Sequence, residues 1–383
     1  MTPEEIFSKY VEDSYTTFQT VKEWKQASGR PAVGYFPVYF PSELAHAMGF
    51  LPVGLLGASG KIPLDRATAH TQSFVCSISR SVFQLVLQGN LDAMEAIVFS
   101  NICDVARNLS GITQRNVQRT RIEYLHLPIN NTSQTAVPYL RSEYERLANT
   151  LFEVGGVRLD TEKLRESVEL YNRKRALEAE LGMLRGSRPW ALSYSSYYST
   201  LRAGTLMPIE SYLPLLERFV EEAKQVEGKA MDKIRVVVLG TFCEQPPLGI
   251  LKAMEDAGCY IVQDEGLVGE RWLGRIPLAQ GKDPLTALAE GYVSNPNVLT
   301  VRYHPGLDKQ QRILEKAREQ KAEGVVFLTP KFCEPALYDY VIGKSALDKE
   351  KIPYLHIEYE ESASSFEHAR TMVETFAESI LFD

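Results

Sequence analysis

Cysteine is scarce in this sequence: five among 383 residues, with no two in a C-x-x-C pair. That absence excludes a zinc ribbon and a ferredoxin-type signature. The odd, dispersed count argues against a disulfide framework, so reduced thiols in the cytoplasm are expected. No uncharged apolar run approaches the roughly 18 residues of a membrane-spanning helix. The first residues, Met1-Thr2-Pro3-Glu4-Glu5, lack the apolar core of an export signal. Excess positive charge is also missing. Lys and Arg number 42 against 49 Asp and Glu, a net charge of −7, which disfavours non-specific nucleic-acid binding. A phosphate-binding loop is absent too. Gly343-Lys344-Ser345 resembles its tail, but Tyr338 stands where the loop requires glycine. Gly54, Gly57 and Gly60 do not form a dinucleotide fingerprint.

What is present is a globular chain with material for a sizeable core, 44% hydrophobic and 24% charged. Its length suits two or three domains. Apolar spacing over the first thirty residues, at Ile6, Tyr10, Tyr15, Phe18 and Val21, predicts an amphipathic helix. Ala32 to Phe36, a helix from Ser42 stopping at Gly49, and Pro52 to Leu56 give a strand–helix–strand pattern. Ala96–Phe99 and Ile122–Leu127 are further strands, with a helix between Ser79 and Leu87. From about Pro138 to Val226 the chain reads as mostly helical, interrupted at Ser187-Arg188-Pro189. A second alternating region opens at Ile234–Leu239. It continues with a helix from Leu248, a strand at Cys259–Val262, a helix near Lys309–Lys321, strands at Gly324–Leu328 and Tyr354–Ile357, and a closing helix over Ser365–Leu381. The expected division is an N-terminal helical segment (1–30), a first α/β unit (31–137), a helical connector (138–232) and a second α/β unit (233–383). Both units should be Rossmann- or flavodoxin-like parallel sheets.

Three cysteines share one local setting. Ala96–Phe99 leads to Cys103-Asp104, Val236–Leu239 to Cys243-Glu244, and Val325–Leu328 to Cys333-Glu334. Each is an apolar strand, a short loop, a cysteine and a carboxylate. Ligands of parallel sheets gather beyond the carboxyl ends of the strands, so thiols from both units could meet in a cleft between them. A cysteine taken alone is more often a packed core residue, and Cys259, opening an apolar run, reads that way. Cys76 precedes a predicted helix, a setting that favours the thiolate a metal needs. Several thiols with few histidines favour an iron–sulfur cluster over catalytic zinc. His46 reads as a packed or solvated helix residue. Glu43 is a possible general acid or base, with helix capping as the equal alternative.

The segments Phe36–Gly49, the surroundings of Cys76, Ile102–Gly111 and Phe332-Cys333-Glu334-Pro335 resemble the 2-hydroxyacyl-CoA dehydratase and benzoyl-CoA reductase superfamily along nearly the whole chain. Within it, Gly240–Leu248 is most similar to the smaller, gamma- or C-type subunit of ATP-dependent benzoyl-CoA reductase. The resemblance implies a [4Fe–4S] cluster held by Cys76, Cys103 and Cys333 in the cleft between the units. Cys243 would line the crevice, act as an alternative ligand or tune the cluster. The implied reaction is an ATP-driven, two-electron dearomatisation of benzoyl-CoA to a cyclohexadienoyl-CoA in anaerobic aromatic degradation. Implied partners are a larger homologous cluster-binding subunit, ferredoxin, the aromatic acyl-CoA, and ATPase or activator subunits that carry ATP, Mg and their own cluster. Glu43 and Glu244 are candidates for the proton donor or for supporting the cluster. Alternatives are a 2-hydroxyacyl-CoA dehydratase subunit, a non-catalytic electron relay, and a structural α/β protein with reduced core cysteines.

Overall fold

The structure is a computed structural model that describes residues 1–240, 246–265, 274–295, 303, 306, 308–361 and 366–382. The first half contains α1 (Pro3–Asp13), α2 (Gln19–Ser28), β1 (Ala32–Phe36), α3 (Ser42–Ala47), β2 (Leu51–Gly54), α4 (Asp65–His70), α5 (Ser77–Gln88), β3 (Ala96–Ser100), α6 (Asp104–Asn116) and β4 (Arg121–Leu125). Four helices follow: α7 (Ala136–Gly155), α8 (Thr161–Ser187), α9 (Tyr194–Ala203) and α10 (Ile209–Gln225). The remainder is β5 (Ile234–Leu239), α11 (Leu248–Asp256), β6 (Cys259–Asp264), α12 (Pro284–Val293), α13 (Lys309–Glu319), β7 (Gly324–Pro330), α14 (Glu334–Glu350), β8 (Tyr354–Tyr359) and α15 (Glu367–Leu381). None of these helices is long and apolar enough to cross a membrane.

The strands form two four-stranded sheets with one topology, β2-β1-β3-β4 and β6-β5-β7-β8. Every pairing within them is parallel. β1, β2, β3 and β7 are buried along their whole length. Helices therefore cover both faces, and these strands read as continuous apolar runs rather than alternating ones. This is a flavodoxin-like order, in which the chain reverses direction across the sheet between its first and third strands. Phe36 is level with Phe99 in the first sheet and Leu239 with Phe327 in the second. The loops that leave those strands therefore emerge side by side at each switch point.

The predicted single N-terminal helix is two. Asp13 ends α1 and turns its carboxylate onto the first amides of α2, accepting from Gln19 N and Thr20 N at 2.8 Å each. Phe18 takes a left-handed conformation (φ 50°) at the break. The long helical stretch is also divided. Gly156 (φ 72°) caps α7, and α8 stops two residues before Pro189. The sequence pattern predicts no helix after Cys333. Yet α14 begins there, and its buried face is Ala336, Gly343, Ala346 and Leu347. Gly343-Lys344-Ser345 lies inside that helix, so it forms no phosphate-binding loop.

Candidate functional site

Cys76, Cys103 and Cys333 line one cavity of about 900 Å³. Each is the N-cap of the helix that follows it: Cys76 of α5, Cys103 of α6 and Cys333 of α14. Two of these helices belong to the first half of the chain and one to the second. Three helix starts thus direct the positive ends of their dipoles toward one place, an arrangement that suits a negatively charged ligand.

Local contacts hold each thiol. Cys103 Sγ accepts from Ala106 N at 3.4 Å, in the manner of a capping oxygen. Cys76 Sγ lies 3.2 Å from Ser79 Oγ. Cys333 N donates to Pro330 O at 3.0 Å, and the preceding Phe332 is left-handed at φ 65°. Tyr39, in the loop after β1, has φ 63°. Strained aromatic residues at strand ends mark loops held by their surroundings rather than by local preference. Cys76 and Cys333 are buried and Cys103 is half-buried. All three are thiols rather than disulfides.

The cavity wall is largely apolar, with Phe36, Phe74, Leu109, Ile112 and Phe332. Its ionisable groups besides the thiols include His70, Asp104, Arg115 and Glu334. Asp104 and Glu334 are the first residues of α6 and α14, where helix dipoles favour a carboxylate. Sequence reasoning pairs both with their cysteines but assigns the acid role elsewhere. The repeated cysteine–carboxylate pair is the signal that points to them.

Glu43 is not in this cavity wall. It is 2% exposed and pairs with Arg175 of α8 at 2.5 Å. Its carbonyl accepts from Ser167 Oγ at 2.9 Å, and that hydroxyl also meets His46 Nδ1 at 2.8 Å. His46 Nε2 reaches Glu210 of α10 at 3.2 Å. Glu43 and His46 thus join α3 to the connector helices. Cys243 and Glu244 lie outside the described residues. The approach to them is described: Gly240 has φ 90°, and a Cβ there would stand 3.0 Å from Leu328 O, so glycine lets the chain leave β5 pressed against β7. Cys259 is fully buried in β6, and burial pushes its thiol up to about 12.

Among the described residues no three His, Cys, Asp or Glu side chains are gathered closely enough to hold a metal ion. The donors lining the cavity nevertheless include three soft thiols delivered by separate elements, a chemistry that fits an iron–sulfur cluster.

Comparison with known proteins agrees over nearly the full length. The chain is 33% identical over 365 residues to the C subunit of benzoyl-CoA reductase of Thauera aromatica, covering 95% of this chain and 94% of that protein. It is 28% identical to the beta subunit of (R)-2-hydroxyglutaryl-CoA dehydratase of Acidaminococcus fermentans, covering 93% and 94%. It is 26% identical to the beta subunit of (R)-phenyllactyl-CoA dehydratase of Clostridium sporogenes, covering 93% of each. The family described as 2-hydroxyglutaryl-CoA dehydratase, D-component, matches residues 37–380. With switch-point cysteines, twin parallel sheets and this match over most of its length, the chain belongs to the 2-hydroxyglutaryl-CoA dehydratase D-component family.

Proposed function

We propose that this chain is the cluster-holding subunit of an ATP-dependent reductase that dearomatises benzoyl-CoA to a cyclohexadienoyl-CoA. The observation that carries the proposal is the convergence of Cys76, Cys103 and Cys333, each a helix N-cap, on one cavity. The 33% identity to a reductase subunit, against 28% and 26% to two dehydratase subunits, favours the reductase reading.

In this reading the three thiolates hold a [4Fe–4S] cluster, which when bound supplies single electrons of low potential. Buried Phe36, with Leu109 and Ile112, gives that space an apolar wall. Asp104 and Glu334 are carboxyl groups at the cavity wall and the proposed route for a proton. Cys243 and Glu244, outside the described residues, keep the roles proposed for them from the sequence. Glu43 acts through α8, as a positioning residue. Cys76 and Cys103 would belong to the first of the two proposed units (31–137 and 233–383), and Cys333 to the second. The ATPase with its own cluster, ferredoxin and the larger homologous subunit are separate chains, and the isolated chain should not hydrolyse ATP.

The dehydratase names of two relatives favour a second reading, elimination of water from a 2-hydroxyacyl-CoA. The assay that decides reconstitutes the complex and counts ATP per product. Continuous ATP consumption with benzoyl-CoA supports the reductase. Many turnovers of a 2-hydroxyacyl-CoA after one initiating hydrolysis would replace it.

A further inference from the structure

Cys76 and Cys333 come from opposite halves of the chain, so something must fix their separation. Glu361, two residues beyond β8, lies between the elements that carry them. It is 5% exposed. Its carboxylate accepts from Ser81 Oγ at 2.7 Å and from Ser59 N. Its own backbone N–H donates to Ser77 Oγ at 3.0 Å. Ser77 and Ser81 belong to α5, the helix that Cys76 caps. Ser59 belongs to the loop after β2, where Gly57 (φ 81°) leaves room: a Cβ there would overlap Glu361 Oε1. Burial pushes its carboxyl above the usual range, and the hydrogen bond from Ser81 and buried Arg202 act against that push.

The other end of the connection leads to Cys333. Pro330 of β7 is in register with Tyr359 of β8, and Lys331 N donates to Tyr359 O at 2.8 Å. From Cys333 the path runs back to Lys331, across to Tyr359, on to Glu361, and into Ser77 and Ser81 beside Cys76. We infer that Glu361 is a positioning residue, a clasp between the two halves that sets the separation of Cys333 from Cys76. This rests on the reading that the three thiols act together. The clasp does not touch Cys103, whose relation to Cys76 is set within the first half by α5 packed against α6.

The test uses the full, iron-free chain and the short reagent bismaleimidoethane, with cross-linked cysteine pairs identified by peptide mass spectrometry. Unaltered protein should yield both Cys76–Cys333 and Cys76–Cys103 pairs. Glu361→Ala should reduce the first pair about tenfold relative to the second, the scale of losing a charge-assisted hydrogen bond. Glu361→Gln and Ser81→Ala should shift the same ratio in the same direction, and they decide the matter if the alanine variant does not fold. A wild-type ratio in Glu361→Gln and Ser81→Ala would overturn the clasp. Absence of Cys76–Cys333 pairs from the unaltered protein would instead overturn the shared-cavity reading.

Discussion

Cys103 and Cys333 occupy equivalent positions in the two sheets. Each follows the third strand of its sheet, β3 ending at Ser100 and β7 at Pro330, and each caps the next helix. Equal offsets from equivalent strands bring one thiol from each half to a switch-point edge. Cys76 joins them from the start of α5, without a strand before it. The topology therefore accounts for two of the three positions, and the long segment between β2 and α5 accounts for the third.

Glu43 and Arg175 should behave as a buried structural pair. Glu43→Ala leaves the guanidinium, 7% exposed, without this carboxylate, and should cost about 3–5 kcal/mol in chemical unfolding. Unchanged stability together with abolished turnover would instead return Glu43 to the chemistry.

Cys259 should be the slowest described cysteine to react with iodoacetamide, because its thiol is fully buried and pushed up to about 12. The folded state holds its proton more tightly than the unfolded state, whose ordinary value is 9.0. The contribution is fully present below pH 9 and is lost as pH rises toward about 12. Unfolding measured near pH 8 and about pH 10.5 should show a smaller alkaline loss in Cys259→Ala.

Glu210 gives the opposite dependence. The hydrogen bond with His46, together with Arg30 nearby, holds its carboxyl down to about 2, against an ordinary 4.5. Stability from this group is present above pH 4.5 and is lost as pH falls toward about 2. The carboxylate is half exposed, so the effect is modest and screened by salt. Glu210→Gln should flatten the acid limb of the stability profile, and an identical limb would contradict the assignment.

Gly57→Ala combines a positive φ with an overlap on Glu361. It should destabilise the chain by more than about 1 kcal/mol. It should also lower the Cys76–Cys333 cross-link ratio as Glu361→Ala does. A neutral Gly57→Ala would mean that the loop after β2 gives way without cost.

Much of the fold is legible in the sequence because buried parallel strands are short apolar runs, and those at Ala32, Ala96, Ile234 and Gly324 start close to where the pattern places them. α14 is not legible, since its buried face is made mainly of alanine and glycine. The break at Asp13 is hidden because apolar spacing continues through Tyr15 and Phe18, which are buried outside either helix. At the site, the strand–loop–cysteine pattern marks Cys103 and Cys333. Their convergence with Cys76 depends on how the two halves meet, which no local spacing encodes. Glu361 carries no motif at all, because its partners are backbone amides and serines some 280 and 302 residues away.

The central claim is that Cys76, Cys103 and Cys333 hold one cluster. The test is iron and acid-labile sulfide per chain, measured after strictly anaerobic preparation with the proposed larger subunit, for the unaltered protein and four single alanine variants. About four of each per chain are expected in the unaltered protein. A sharp loss is expected in Cys76→Ala, Cys103→Ala and Cys333→Ala, and full retention in Cys259→Ala. Full iron in all three of the first variants, in folded protein, would contradict it.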